Sequence, residues 1–237
     1  MFLFIRIRPN VNLNKMNRLT LGAGKSIISN QKYIQERLII MTSNVRRITY
    51  IALFTAVICI ISQLPGIPLP GGVPMTLQTL IIPIAGVVLG PADGFIAALL
   101  YLILGMIGLP VFSGFTAGIG ILMGATGGFL VSFPLMPLLA GLGDRAGEKL
   151  SGRNTKSLTY NLCLYGGLAA GAALNYLVGT VWFAAVYLGA VNHENMAAGF
   201  AACVLPFIPT AILKVILAGV TGTVLKRTLR HAGLLDC

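Results

Sequence analysis

Charge is what this sequence has least of. Only 10% of its 237 residues are charged, against about a quarter in an ordinary soluble domain, which argues against a water-soluble globular fold. Acids are scarcest: Glu36, Asp93, Asp144, Glu148, Glu194 and Asp236 are all there are. No carboxylate pair falls inside an apolar segment. The two histidines, His193 and His231, stand apart from any nucleophile or metal-ligand spacing, so general acid-base and metal chemistry lack candidates and the chain reads as a non-enzyme without a cofactor. The four cysteines (Cys59, Cys163, Cys203, Cys237) show no CxxC spacing and read as small apolar fillers rather than disulfide or metal partners. The first 40 residues contain no uninterrupted apolar run of the kind that makes a secretory signal, since Arg6 and Arg8 break the only short one. Gly22-Ala23-Gly24-Lys25-Ser26 superficially matches a phosphate loop, but the position that needs the first glycine is Leu19 and no strand precedes it. ATP binding is excluded.

What is abundant is oil. Hydrophobic residues make up 56% of the chain, and a bilayer-spanning helix needs roughly 20 of them in sequence. Apolar runs and their Gly and Pro punctuation predict spans over 48–64, 75–89, 94–107, 119–142, 158–190 and 197–225. The fourth is interrupted by Gly127-Gly128, Pro134 and Pro137, breaks that a membrane tolerates only where neighbours or a cavity satisfy the freed backbone groups. The expected fold is therefore an all-α membrane protein of six transmembrane helices. One membrane domain covers 41–230, preceded over 1–40 by a flexible basic extension or an over-long start and followed by a short tail over 231–237.

The formal charge of +11 is a topology signal rather than a nucleic-acid footprint. Nine of the 17 Lys and Arg residues fall in 1–47, four (Arg145, Lys149, Arg153, Lys156) in a polar loop over 143–157, and three (Lys226, Arg227, Arg230) at the end. The intervening loops at 65–74, 108–118 and 191–196 carry none. By the positive-inside rule both termini are cytoplasmic.

One cation escapes that pattern. Lys214 lies inside the expected sixth helix, where an ammonium costs at least ~2.5 kcal/mol. No acid is placed to neutralise it. A ligand carboxylate arriving from outside is one source of the missing charge; snorkelling toward the inner face and a neutral amine are the competing readings. Gln78, with Thr76 and Thr79, stands at a helix start; these groups either cap it or offer a donor and an acceptor to an amide-like or urea-like ligand. On the fifth helix Asn175, Tyr176, Gly179 and Trp182 are further candidates. The last three recur at three-residue spacing along one face, an aromatic wall beside a glycine gap, although an interfacial belt accounts equally for Trp182 and Tyr187. Ala52 and Ala56 on the first helix form a small-xxx-small pair that permits close helix approach.

Several strings together resemble the BioY family, the biotin-specific substrate-capture subunits (S components) of energy-coupling factor transporters. They are Val73-Pro74-Met75-Thr76-Leu77-Gln78-Thr79-Leu80, Leu89-Gly90, Tyr101-Leu102-Ile103-Leu104-Gly105, Gly108-Leu109-Pro110-Val111-Phe112 and Thr126-Gly127-Gly128-Phe129, in the family's order and spacing. The resemblance runs from 41 to 225. It implies a six-helix subunit in the bacterial cell (inner) membrane that takes up biotin near the outer face. It further implies a transmembrane coupling subunit and two cytoplasmic ATPases as partners, with the coupling-subunit contact falling on Ala52 and Ala56. The family's sixth-helix lysine falls on Lys214 and its VPxTLQT glutamine on Gln78. One departure stands out: members usually read Pro-Gly-Asp where this chain reads Pro209-Thr210-Ala211 ahead of Ile212-Leu213-Lys214.

The mechanism so implied pairs the biotin carboxylate with Lys214 and the ureido ring with Gln78 and Asn175, the bicyclic rings packing on Tyr176, Trp182 and the Gly-rich turn over 114–120. Two alternatives remain open: an S component for another carboxylate-bearing vitamin or precursor, and a non-transporting membrane scaffold.

Overall fold

The structure is a computed structural model. It describes residues 44–67, 74–152, 154–186, 188–189 and 191–234, with no side chain described at 202 and 203. The expected basic extension, Arg153, Tyr187, Cys237 and the side chain of Cys203 lie outside the described residues. The chain divides into units of residues 1–46 and 47–237, and the fold below is that of the second.

Every regular element described is helical: α1 (Asn44–Ser62), α2 (Gln78–Leu89), α3 (Pro91–Met106), α4 (Ile119–Leu122), α5 (Gly127–Ser132), α6 (Leu135–Leu150), α7 (Leu158–Val186), α8 (His193–Cys203) and α9 (Ile208–His231), with a 3-10 turn at Leu205–Phe207. Among the described residues four helical stretches, Asn44–Ser62, Gly127–Leu150, Leu158–Val186 and His193–His231, are long and apolar enough to cross a bilayer; α2 and α3 are shorter apolar helices. This is an all-helical membrane protein.

The bundle is inside-out relative to a soluble protein. Large apolar side chains such as Ile60, Leu162 and Ile212 are exposed on its surface, while the interior is tight enough to need glycine. α2 sits at the centre, packed on α3, α6 and α9, with Ile82 to Val88 continuously buried. A Cβ on Gly86 would lie 2.0 Å from the Pro137 carbonyl oxygen, so α2 and α6 touch backbone to backbone. Gly143 and Gly167 do the same for α6 and α7. Without a hydrophobic drive between helices in lipid, such close approach is what supplies the packing energy.

The element boundaries correct several expectations. α6 continues to Leu150 through the segment expected as a polar loop from 143, because its charges have partners: buried Asp144 accepts from Tyr160 (2.7 Å) and from Lys226, and Glu148 pairs with Lys226 (3.1 Å) and Arg230 (2.7 Å). The fourth expected span breaks into α4, α5 and α6. The sixth breaks too, since Pro206 and Pro209 remove backbone donors and the chain turns through Leu205–Phe207 before α9 begins. Lys214 is the seventh residue of α9, about 9 Å from the start of that helix.

Candidate functional site

An antiparallel backbone bridge builds the first wall. Ile67 and Met75 exchange both of their N–H···O bonds at 2.9 Å, bringing the run Pro74 to Leu77 back beside the end of α1 and exposing the Thr76 carbonyl. From α9 the Lys214 ammonium donates to that carbonyl at 2.6 Å and to the Thr79 hydroxyl at 3.0 Å. The lysine is half-buried, and both partners are neutral. Its direction is now settled: the amine reaches into the bundle toward the start of α2 rather than along α9 to the basic end, so the snorkelling reading does not describe this structure.

Beside the amine is a cavity of ≈ 210 Å³, small against the range usual for drug-sized ligands. Its polar lining includes Thr76, Gln78, Thr79, Asn175 and Lys214, and among the described residues no acidic side chain contributes. Phe112, Phe129, Tyr176 and Phe207 supply aromatic walls, Tyr176 and Phe207 with ring centroids 6.3 Å apart. Among the described residues no His, Cys, Asp or Glu cluster is arranged for a metal.

The two buried amides are held in fixed orientations. Gln78 donates to the Tyr101 hydroxyl at 2.6 Å and its carbonyl accepts from the Thr76 hydroxyl at 2.9 Å, which leaves one amide N–H to offer. Asn175 donates to the Phe129 carbonyl at 2.9 Å and to the Ser132 hydroxyl at 2.7 Å; with both hydrogens committed, its carbonyl oxygen can only accept. A donor and an acceptor, a cation and a set of flat apolar rings thus share one small chamber.

The model of the BioY family matches residues 31–231. The chain belongs to the BioY family. The match begins ahead of residue 41, where the expected membrane domain starts. The chain is 36% identical over 184 residues to the biotin transporter BioY2 of Lactococcus lactis subsp. cremoris, covering 78% of this chain and 92% of that one. With the probable biotin transporter BioY of Pyrococcus horikoshii it shares 35% over 169 residues, 71% and 89% of the two chains. The crystal structure of the S-component for biotin from an ECF-type ABC transporter superposes with a TM-score of 0.64 at 31% identity, covering 78% of this chain and 93% of that one.

Of the residues singled out in this BioY chain, Lys214, Gln78, Asn175 and Tyr176 meet around the cavity. Trp182 is not among its lining residues. Its indole N–H donates to the Gly124 carbonyl at 3.0 Å and its side chain lies against Gly128, where a Cβ would come within 2.2 Å; it braces the turn between α4 and α5 from behind. The expected gap at Gly179 is filled by the Phe129 ring, which takes the place foreseen for a ligand ring and itself lines the cavity. Of the Gly-rich turn over 114–120 Thr116 reaches the lining, as does Ser113 just ahead of it, whereas the glycines do not. Ala52 and Ala56 are exposed on α1, on the side away from buried Ile51, Phe54, Thr55 and Ile58. Residue reading missed Tyr101, Ser132 and Phe129. Tyr101 had a findable signal, a hydroxyl in an otherwise aliphatic span; Ser132 had none, because small hydroxyls in membrane helices usually satisfy their own backbone.

Proposed function

We propose that this chain is the biotin-capture subunit of an energy-coupling factor transporter, a multi-pass protein of a bacterial inner membrane whose cavity faces outward. What carries the reading is the chamber in which Lys214 is cradled by neutral oxygens with no acid lining it. An ammonium so placed has an unmet need for negative charge, and the carboxylate of biotin meets it. A charge-assisted contact of this kind contributes about 1.5–3 kcal/mol. The ureido group presents both a carbonyl and N–H groups, matching the free N–H of Gln78 and the acceptor of Asn175. Tyr176 and the phenylalanine walls bury the rings at ~25 cal/mol per Å² of apolar surface; Trp182 acts by holding the wall rather than by contact.

The further topology belongs to the same proposal: six membrane segments, with α2 and α3 completing the four longer ones, and both termini cytoplasmic by the Lys and Arg bias. Residues 41–230 form the substrate-binding domain, with 1–40 an extension and 231–237 a tail. As the family resemblance implies, transport draws on a transmembrane coupling subunit and two cytoplasmic ATPases, and the exposed Ala52 and Ala56 are the surface for that coupling subunit.

Thermal unfolding of detergent-purified protein against a panel of carboxylate vitamins tests the substrate. A ligand at a hundred times its dissociation constant adds ~2.7 kcal/mol of stability, so biotin raises the melting temperature. If another acid raises it and biotin does not, the substrate is wrong and the class stands. A melting curve indifferent to every member of the panel favours a scaffold.

A further inference from the structure

Gln63 follows directly on α1, outside the cavity lining, yet its side chain grips the loop that forms part of the cavity wall. Its amide nitrogen donates to the Pro110 carbonyl at 2.9 Å, with a longer contact of 3.4 Å to Cys59 in its own helical turn, and its amide oxygen accepts from the Phe115 backbone N–H at 3.1 Å. The gripped loop runs from α3 to α4. It closes on itself through a bridge between Phe112 and Thr116, and it sends Phe112, Ser113 and Thr116 to the cavity.

The tip of this loop depends on an outside hold. Its ends turn on glycines at positive φ, Gly108 (104°) and Gly118 (94°), a conformation glycine adopts without steric cost, and are tied to α3 where Leu109 N–H donates to the Leu104 carbonyl at 3.1 Å and Gly118 N–H to the Gly105 carbonyl at 2.8 Å. At its tip Gly114 (φ 71°) and Phe115 (φ 60°) are consecutive positive-φ residues, and Phe115 is the non-glycine residue in that region, an uncommon and strained state for a bulky side chain. The Phe115 side chain is 70% exposed, so packing does not compensate the strain. The N–H of that same residue is the one Gln63 accepts. The far edge is fixed independently: Phe112 is buried against Gly105 and stacks edge-on with Tyr101 at 5.7 Å. The base of the loop and its Phe112 edge are thus anchored to α3, while the Gln63 amide links the tip across to the end of α1.

We propose that Gln63 is a positioning residue that clasps the 108–118 loop over the cavity and thereby sets how fast a bound solute leaves. The proposal rests on the biotin-capture reading for its ligand but not for its geometry. Loss of both bonds accelerates release by about tenfold, the factor expected when roughly one net hydrogen-bond's worth of closure is removed.

The test compares wild type, Gln63→Ala and Gln63→Glu as full-length protein in detergent. Glutamate keeps an acceptor for Phe115 but has no amide to donate to Pro110. Labelled-biotin dissociation is expected fastest in Gln63→Ala, intermediate in Gln63→Glu and slowest in wild type, with the ligand-free melting temperatures of all three alike; any other order overturns the proposal. Faster release accompanied by a fall in the ligand-free melting temperature also overturns it, since that is the mark of a merely structural side chain. Amide hydrogen exchange of the loop in the ligand-free protein supplies an arm that needs no biotin: exchange over 108–118 is faster in Gln63→Ala than in wild type, and unchanged exchange sinks the clasp. Should wild type bind no biotin, the substrate reading fails, and the exchange arm alone still decides the clasp.

Discussion

Two lysines on one helix are treated in opposite ways. Lys214 and Lys226 are twelve residues apart on α9, about 18 Å along its axis. Lys226 is buried against two carboxylates, Asp144 and Glu148, with Arg230 and Tyr160 completing the group. Lys214 is half-buried against a carbonyl and a hydroxyl, beside empty volume. The Lys226 end neutralises itself and joins α6, α7 and α9. The Lys214 end, in the function proposed, leaves its charge for a guest. The contrast teaches that an intramembrane cation is not functional by being there: what singles out Lys214 as the proposed binding lysine is the missing acid and the chamber, not the burial, which is greater at Lys226.

The contrast breaks most visibly at Asp144. Replacing it with alanine strands Lys226 in a buried site, and removing one partner of a buried pair costs about 3–5 kcal/mol; thermal or denaturant unfolding in detergent detects this, while biotin affinity of the folded fraction stays within a few-fold. Lys214→Gln does the reverse. Ligand-free stability is little changed, and biotin binds about 10- to 150-fold more weakly, the factor for ~1.5–3 kcal/mol of a charge-assisted contact, measured by equilibrium binding of labelled biotin. A melting temperature that falls as far as in Asp144→Ala contradicts the division of labour between the two ends.

Smaller changes sharpen it. Thr79→Val removes one of the two oxygens that hold the Lys214 amine and, at about 0.5–1.5 kcal/mol for a hydrogen bond, weakens biotin binding by roughly two- to twelvefold without affecting the fold. Arg47→Ala breaks the pair with Asp93, in which Arg47 Nε donates at 2.7 Å. The arginine side chain is 52% exposed, and water and salt screen an exposed pair, so the melting temperature moves slightly and binding not at all. A shift as large as that of Asp144→Ala would show that exposure is a poor guide to which ion pairs matter.

Much of this was legible in residues and spacing. Apolar runs long enough for a bilayer, the bias of Lys and Arg, and one cation without a predicted partner are local or compositional facts, and no folding is needed to read them. The motif around Gln78 pointed to a stretch of chain that lines the cavity. What misled was the use of helical spacing as if a helix had one neighbour. Tyr176, Gly179 and Trp182 share a face in projection, but Phe129 enters at Gly179 and α5 intervenes before Trp182, so only the first of the three meets the cavity. The segment after 143 looked like a loop because its charges were counted singly; they are helical because they are paired with residues more than eighty positions away.

By itself, then, the sequence determined that the chain lives in a bilayer as helices and that Lys214 is the cation needing explanation, because hydrophobic length and the cost of an unneutralised charge in oil are set by composition and order. Only the tertiary structure decided where that amine points, which amide hydrogens are already spent, and that Gln63 reaches across to a loop nearly fifty residues away. Those are relations between segments distant in sequence, fixed by glycine-mediated close packing and by hydrogen bonds that exist only once the helices have met.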